Sequence, residues 1–221
     1  MKAELEYDNV RLLLSETLVR HKEELKKLLV RKSLVKGNFV LSSGKESDYY
    51  LDCKLTTLDP LGAVLTGYTV LELLEENGIE ADAIGGPIIG AVPIASAVSA
   101  ISYLRAINEG KGRPLPAFLV RMERKAHGRQ KQIEGIDLRS AQKVVVIDEV
   151  CTSGASIEVA LRAVEERHLE VVAIVNLVDR EEGGHIKLRA RYGNRYLPVF
   201  TAKELLESTA GEPSRVAKTI L

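Results

Sequence analysis

The sequence contains no tryptophan, only two cysteines, few aromatics and no excess of charge of either sign. Each scarcity excludes something. Cys53 and Cys151 cannot make a disulfide framework or a four-thiolate zinc site, and neither has a second thiol at CxxC spacing. Lys plus Arg (31) balances Asp plus Glu (31), which speaks against a dedicated nucleic-acid binder, since such proteins release counterions with a basic excess. Low-complexity tracts are missing, and 45% hydrophobic with 28% charged residues suits a folded globular chain. Met1 to Lys32 lacks a secretory leader, so a reducing cytoplasm is expected. The longest uncharged run, Ala83 to Leu104, is broken by Gly85, Gly86, Pro87, Gly90 and Pro93 and padded with Ala and Ser. A strand, a glycine loop and a buried helix explain it better than a membrane span.

Hydrophobic spacing then gives an order of elements. Asp8 to Arg31 reads as one or two amphipathic helices. Phe39 to Leu41 and Tyr49 to Leu51, around Ser42 to Lys45, read as a hairpin or as two neighbouring strands. Asp59 and Pro60 open a helix to about Asn77, with Gly78 at its left-handed C-cap. A strand ends at Ala83 to Gly85, with a glycine loop running from Gly85 to Ala91. A helix follows from Ala91 to Asn108, then a strand from Ala117 to Arg121 and a polar segment from Met122 to Leu138. Val144 to Ile147 is a strand, Ser153 to Arg167 a helix and Val171 to Val178 a strand. Short apolar strands alternating with helices predict an α/β fold with a doubly wound, mostly parallel sheet. One domain is expected over 1–221, with 1–57 a small N-terminal lobe, or hood, over a 58–221 core.

In such sheets ligands bind beyond the carboxyl ends of the strands. Four β-branched residues, Val144 to Ile147, lead into the acids Asp148 and Glu149. Val150, Cys151, Thr152, Ser153, Gly154, Ala155 and Ser156 follow, and then a helix. Small residues let backbone amides converge on an anion at a helix N-terminus, and the hydroxyls add donors, so a phosphate is expected there. The spacing is neither that of a Walker loop nor that of a dinucleotide fingerprint. Adjacent carboxylates beside a phosphate site suit the vicinal hydroxyls of a ribose, and they place negative charge near an anomeric carbon that becomes cationic. The bland alternative is a helix-capping Asp148 with a solvated Glu149.

The segment Asp148 to Ser156 resembles the phosphoribosyl pyrophosphate (PRPP) signature of type I phosphoribosyltransferases. Phe39 to Asp52, Arg121 to Gly128, Asp179 to Gly183 and Pro198 to Thr201 are similar to segments of orotate phosphoribosyltransferases. That resemblance implies transfer of ribose 5-phosphate from PRPP to N1 of orotate, giving orotidine 5'-monophosphate and pyrophosphate in pyrimidine (UMP) synthesis, with Mg2+ held through PRPP. It implies that Arg121, Lys125 and His127 meet the pyrophosphate, with Lys125 and His127 supplied across a homodimer. It also implies that Tyr50 and Leu51 lie against the orotate ring, and that Arg180 and Thr152 bind it. Family members often carry lysine where Ser42, Gly90 and Met122 stand here, and Arg124 is the expected replacement for the cation missing at Met122. Two other phosphoribosyl readings are a transferase for a purine base and a non-catalytic PRPP-sensing regulator. A thiol hydrolase using Cys151 with His127 as base is a third alternative. His21, His168 and His185 are expected at the surface.

Overall fold

The computed structural model describes residues 18–40, 46–123, 132–135 and 141–209. Helix α1 (Leu18–Lys32) turns Leu25, Leu28 and Leu29 inward. Strands β1 (Leu34–Val40) and β2 (Glu46–Leu51) pair antiparallel in a two-stranded sheet of their own. This is the expected hairpin; its turn lies outside the described residues. A short helix, α2 (Lys54–Thr57), leads into α3 (Pro60–Glu76). Asp59 caps α3 by accepting the Leu61 and Gly62 amides, each at 3.1 Å. Pro60 sits at the first turn, where its missing N–H costs nothing. Gly78 adopts a left-handed φ of 62° just past the end, as the sequence predicts.

The central sheet has six strands in the order β5-β4-β3-β6-β7-β8. They are β3 (Ala83–Pro87), β4 (Ala117–Val120), β5 (Ile133–Gly135), β6 (Lys143–Cys151), β7 (Glu170–Asp179) and β8 (Tyr196–Thr201). Every pairing is parallel except β4 with β5. Helix α4 (Ala91–Asn108) joins α1 and α3 on one face, and α5 (Ala155–Glu165) and α6 (Gly184–Tyr192) lie on the other. Alternation along β6 divides the core: Val145 and Ile147 pack with the first group, Val144 and Val146 with the second. Asp82 pins the strand entrances together. It accepts the Gln142 and Lys143 amides at 2.8 Å each and the Arg113 guanidinium at 2.7 Å. The Lys143 amide, the Gln142 amide and Arg113 hold its carboxyl down at about 2.

Several expectations are corrected. Strand β6 does not stop at Ile147 but continues through Asp148, Glu149, Val150 and Cys151, because β7 runs beside it and pairs as far as Cys151 with Asp179. Ladder hydrogen bonds hold a polar stretch extended where side-chain hydrophobicity alone ends the strand. Helix α5 is correspondingly shorter than the predicted span. Gly85, Gly86 and Pro87 are strand residues rather than loop. The polar segment after β4 contains β5, and hydrophobic spacing does not announce α6, β8 or α7 (Ala202–Glu207), the last helix among the described residues. His21 is not on the surface: it is 2% exposed, bonds Glu72 at 2.9 Å and stacks on Tyr68.

Candidate active site

The carboxyl end of β6 carries the acid pair to within reach of Lys54 at the start of α2. Asp148 and Glu149 are both buried. One oxygen of Asp148 accepts the Ser156 hydroxyl at 2.6 Å, and the other accepts the Glu149 amide at 2.8 Å. Burial pushes the Asp148 carboxyl up to about 6 against the pull of those two bonds, and burial also raises Glu149, opposed chiefly by Lys54. Asp148 therefore does not cap α5 through its first amides but is tied to a side chain within its first turn.

Beyond β6, Thr152 to Gly154 turn the chain into α5. Gly154 takes a φ of 80°, which a side chain would strain. The loop is fixed from below by α6, where the Gly184 amide donates to the Thr152 carbonyl at 2.9 Å. A Cβ at Gly184 would come 2.7 Å from Cys151 Sγ, from the Gly154 nitrogen and from the Thr152 oxygen, so only glycine allows this approach. The first amides of α5 have no carbonyl a turn earlier, and the positive end of the helix dipole lies at this turn. Val150 is half-buried in β6, Ser153 and Ala155 are exposed, and Thr152 and Ser156 are partly so. Cys151 is buried, and burial pushes its thiol up to about 11. A thiolate nucleophile does not fit that position.

The residues expected at the base and at the pyrophosphate stand on β2, at the end of β7 and just past β4. Arg180, at the end of β7, donates its backbone amide to the Cys151 carbonyl at 2.9 Å, which sets it beside Thr152. Its guanidinium bonds Glu182 at 2.7 Å and lies 4.6 Å from the Tyr49 ring, with the Ser47 hydroxyl at 3.5 Å. Tyr49 thus has a partner that its sequence context did not reveal. Tyr50 points the other way, exposed and 5.6 Å from Phe39, while Leu51 is buried. Arg121, just past β4, is engaged by Glu134 of β5 at 2.5 Å. Met122 is exposed beside it. Arg124, Lys125 and His127 lie outside the described residues.

One charged residue was missed. Lys54, at the start of α2, reaches Asp52 at 2.8 Å and both Glu149 oxygens at 3.4 Å. Its partner stands 95 positions away in the chain, so no local pattern could have marked it.

A phosphoribosyl transferase domain model matches residues 69–189. Orotate phosphoribosyltransferase of Aquifex aeolicus is 38% identical, over 86% of this chain and 100% of that protein. The crystal structure of Mycobacterium tuberculosis orotate phosphoribosyltransferase with Fe(III) dicitrate superposes with a TM-score of 0.69 at 35% identity, covering 84% of this chain and 98% of that one. A structure of the M. tuberculosis enzyme in complex with PRPP gives 0.66 at 32% identity, over the same shares. With a doubly wound sheet, an acid pair running into a hydroxyl-glycine loop and these relatives, the chain belongs to the phosphoribosyltransferase family, among its orotate phosphoribosyltransferases.

Proposed function

We propose that the acid pair and the loop after β6 carry the orotate phosphoribosyltransferase reaction of this chain. PRPP and orotate are its substrates, and the bond from the anomeric carbon to pyrophosphate breaks as the bond to orotate N1 forms. The observation that carries the assignment of residues is the junction of β6 with α5, where buried Asp148 and Glu149 stand directly before a turn set by Gly154. The amides and hydroxyls of Thr152 to Ser156 receive the 5'-phosphate. Asp148 and Glu149 accept hydrogen bonds from the ribose hydroxyls and stabilise the positive charge that grows on the anomeric carbon. Arg180 and Thr152 hold the orotate oxygens; Tyr50 and Leu51 are neighbours on one strand and lie on opposite faces, so only one of the two lies against its ring, and Tyr50 turns away from Arg180.

Arg121, Arg124, Lys125 and His127 meet the pyrophosphate as its charge develops. Lys125 and His127 act across a homodimer, in a loop whose closure excludes water from the reacting centre. Mg2+ fits this site as a passenger of PRPP. The acid pair is already engaged by Ser156 and Lys54, and magnesium prefers phosphate oxygens and water to an all-protein cage. When bound it neutralises charge on the departing pyrophosphate. The chain is read as a single cytoplasmic domain, 1–221, with residues 1–57 as a hood over the site. Among the described residues no helix is long and apolar enough to cross a membrane.

Pyrophosphate release from PRPP and magnesium, measured with orotate, uracil, adenine or hypoxanthine in turn, tests the reading. Turnover is expected with orotate alone. Consumption of a purine with orotate untouched would replace it with the purine transferase, and PRPP binding without turnover on any base would replace it with the sensor.

A further inference from the structure

Glu149 is an unusual place for a carboxylate. It is 8% exposed and next in sequence to a second buried acid, Asp148. Asp52 of the hood adds a third negative group near it. On the side of the glycine loop Gly90 presents no side chain to the pair: a Cβ there would come 2.9 Å from Asp148 Oδ1 and 3.1 Å from Glu149 Oε2. Among the described residues, the charged groups set against Glu149 are Asp148 from its own strand and Asp52 and Lys54 from the hood. Lys54 is the single cation of that set. Its ammonium spans both Glu149 oxygens at 3.4 Å and Asp52 at 2.8 Å.

The base of this lysine is rigid. The Lys54 amide donates to Asp52 at 3.1 Å, and the neighbouring Cys53 is fully buried. Thr56, two residues on, bonds Ser33 in the interior at 2.7 Å. The ammonium is therefore delivered from a fixed point to a carboxylate that water hardly reaches.

We propose that Lys54 is a positioning residue of the transfer site, an ammonium supplied by the hood that keeps Glu149 ionised and fixed in direction for the ribose hydroxyls of PRPP. The inference rests on the reading of Glu149 as a diol acceptor. Removal of the cation leaves three clustered carboxylates with no counter-charge from these residues, so Glu149 takes up a proton at higher pH and loses an acceptor oxygen.

The test compares wild type with Lys54→Met and Lys54→Arg across pH. For Lys54→Met, kcat/KM for PRPP is expected to fall about tenfold at pH 6 and only about threefold at pH 8.5, while Lys54→Arg stays within about threefold of wild type at both. A loss of equal size at every pH, or none, overturns the proposal. In the ligand-free protein, the carbon-13 carboxyl resonance of Glu149, assigned with Glu149→Gln, should titrate at higher pH in Lys54→Met. An unmoved midpoint also overturns it. That readout is independent of turnover, so failure of the wild type to use orotate would strike the functional reading and leave the midpoint to decide this one. Should Lys54→Met melt more than about 3 °C below wild type, Lys54→Gln in the same pH series decides instead.

Discussion

Asp148 sits where burial makes a charged carboxylate costly, and in the proposed function that charge is useful once a sugar arrives. Its oxygens are held by the Ser156 hydroxyl and the Glu149 amide, yet burial dominates and its carboxyl titrates near 6. The pKa of the folded chain lies above that of an unfolded aspartate, so the proton favours folding. This contribution is complete below about pH 4 and lost as the pH rises through about 6. Asn at this position can still accept the Glu149 amide with its oxygen and donate to Ser156 through its nitrogen. Asp148→Asn should therefore stabilise the ligand-free protein at pH 8 by about 2 kcal/mol, with the gain vanishing near pH 4, while transferase activity is lost. Thermal melts at the two pH values check this; a gain of the same size at both would refute the burial account.

The loop after β6, proposed to take the phosphate, depends on a neighbouring element as much as on its own residues. Helix α6 begins with Gly184, whose amide holds the Thr152 carbonyl and whose missing Cβ leaves room for Cys151 and Gly154. A methyl group there must push against loop backbone, not against a flexible side chain. Gly184→Ala is expected to raise the PRPP KM about tenfold or more and to lower the melting temperature. Ile186→Ala, at an exposed position on the same helix, should change neither. Steady-state kinetics on both variants decide the matter, and an unaffected KM in Gly184→Ala would mean that the loop is set without α6.

Across the whole molecule, two cations tie the segment before α3 to the ends of the sheet strands, in opposite senses. Lys54 extends from the hood to Glu149, and Arg180 extends from the core to Tyr49 and Ser47. Arg180 is buried with its Glu182 partner close by, a setting that suits exchange of one carboxylate for an anionic base. Arg180→Ala should raise the orotate KM by about tenfold to a hundredfold and leave the PRPP KM within about threefold, because the loop proposed for the phosphate stands on β6 and α5. Equal rises in both constants would instead make Arg180 a tie between the two parts of the molecule.

The sequence by itself determined the parallel α/β order, the helices α3 and α4 nearly to the residue, and the strand-loop-helix unit at Asp148 to Ser156. Each is written in consecutive residues: an Asp59-Pro60 start, a glycine stop, four β-branched residues, a run of small hydroxyl residues. The tertiary structure alone decided that β6 carries its acids inside the sheet, since the ladder to β7 is made of residues distant in sequence. It alone decided that Tyr49 rather than Tyr50 receives Arg180, because a strand side chain changes faces at every position. And it alone joined Lys54 to Glu149, a pairing between charges that only folding brings within reach of each other.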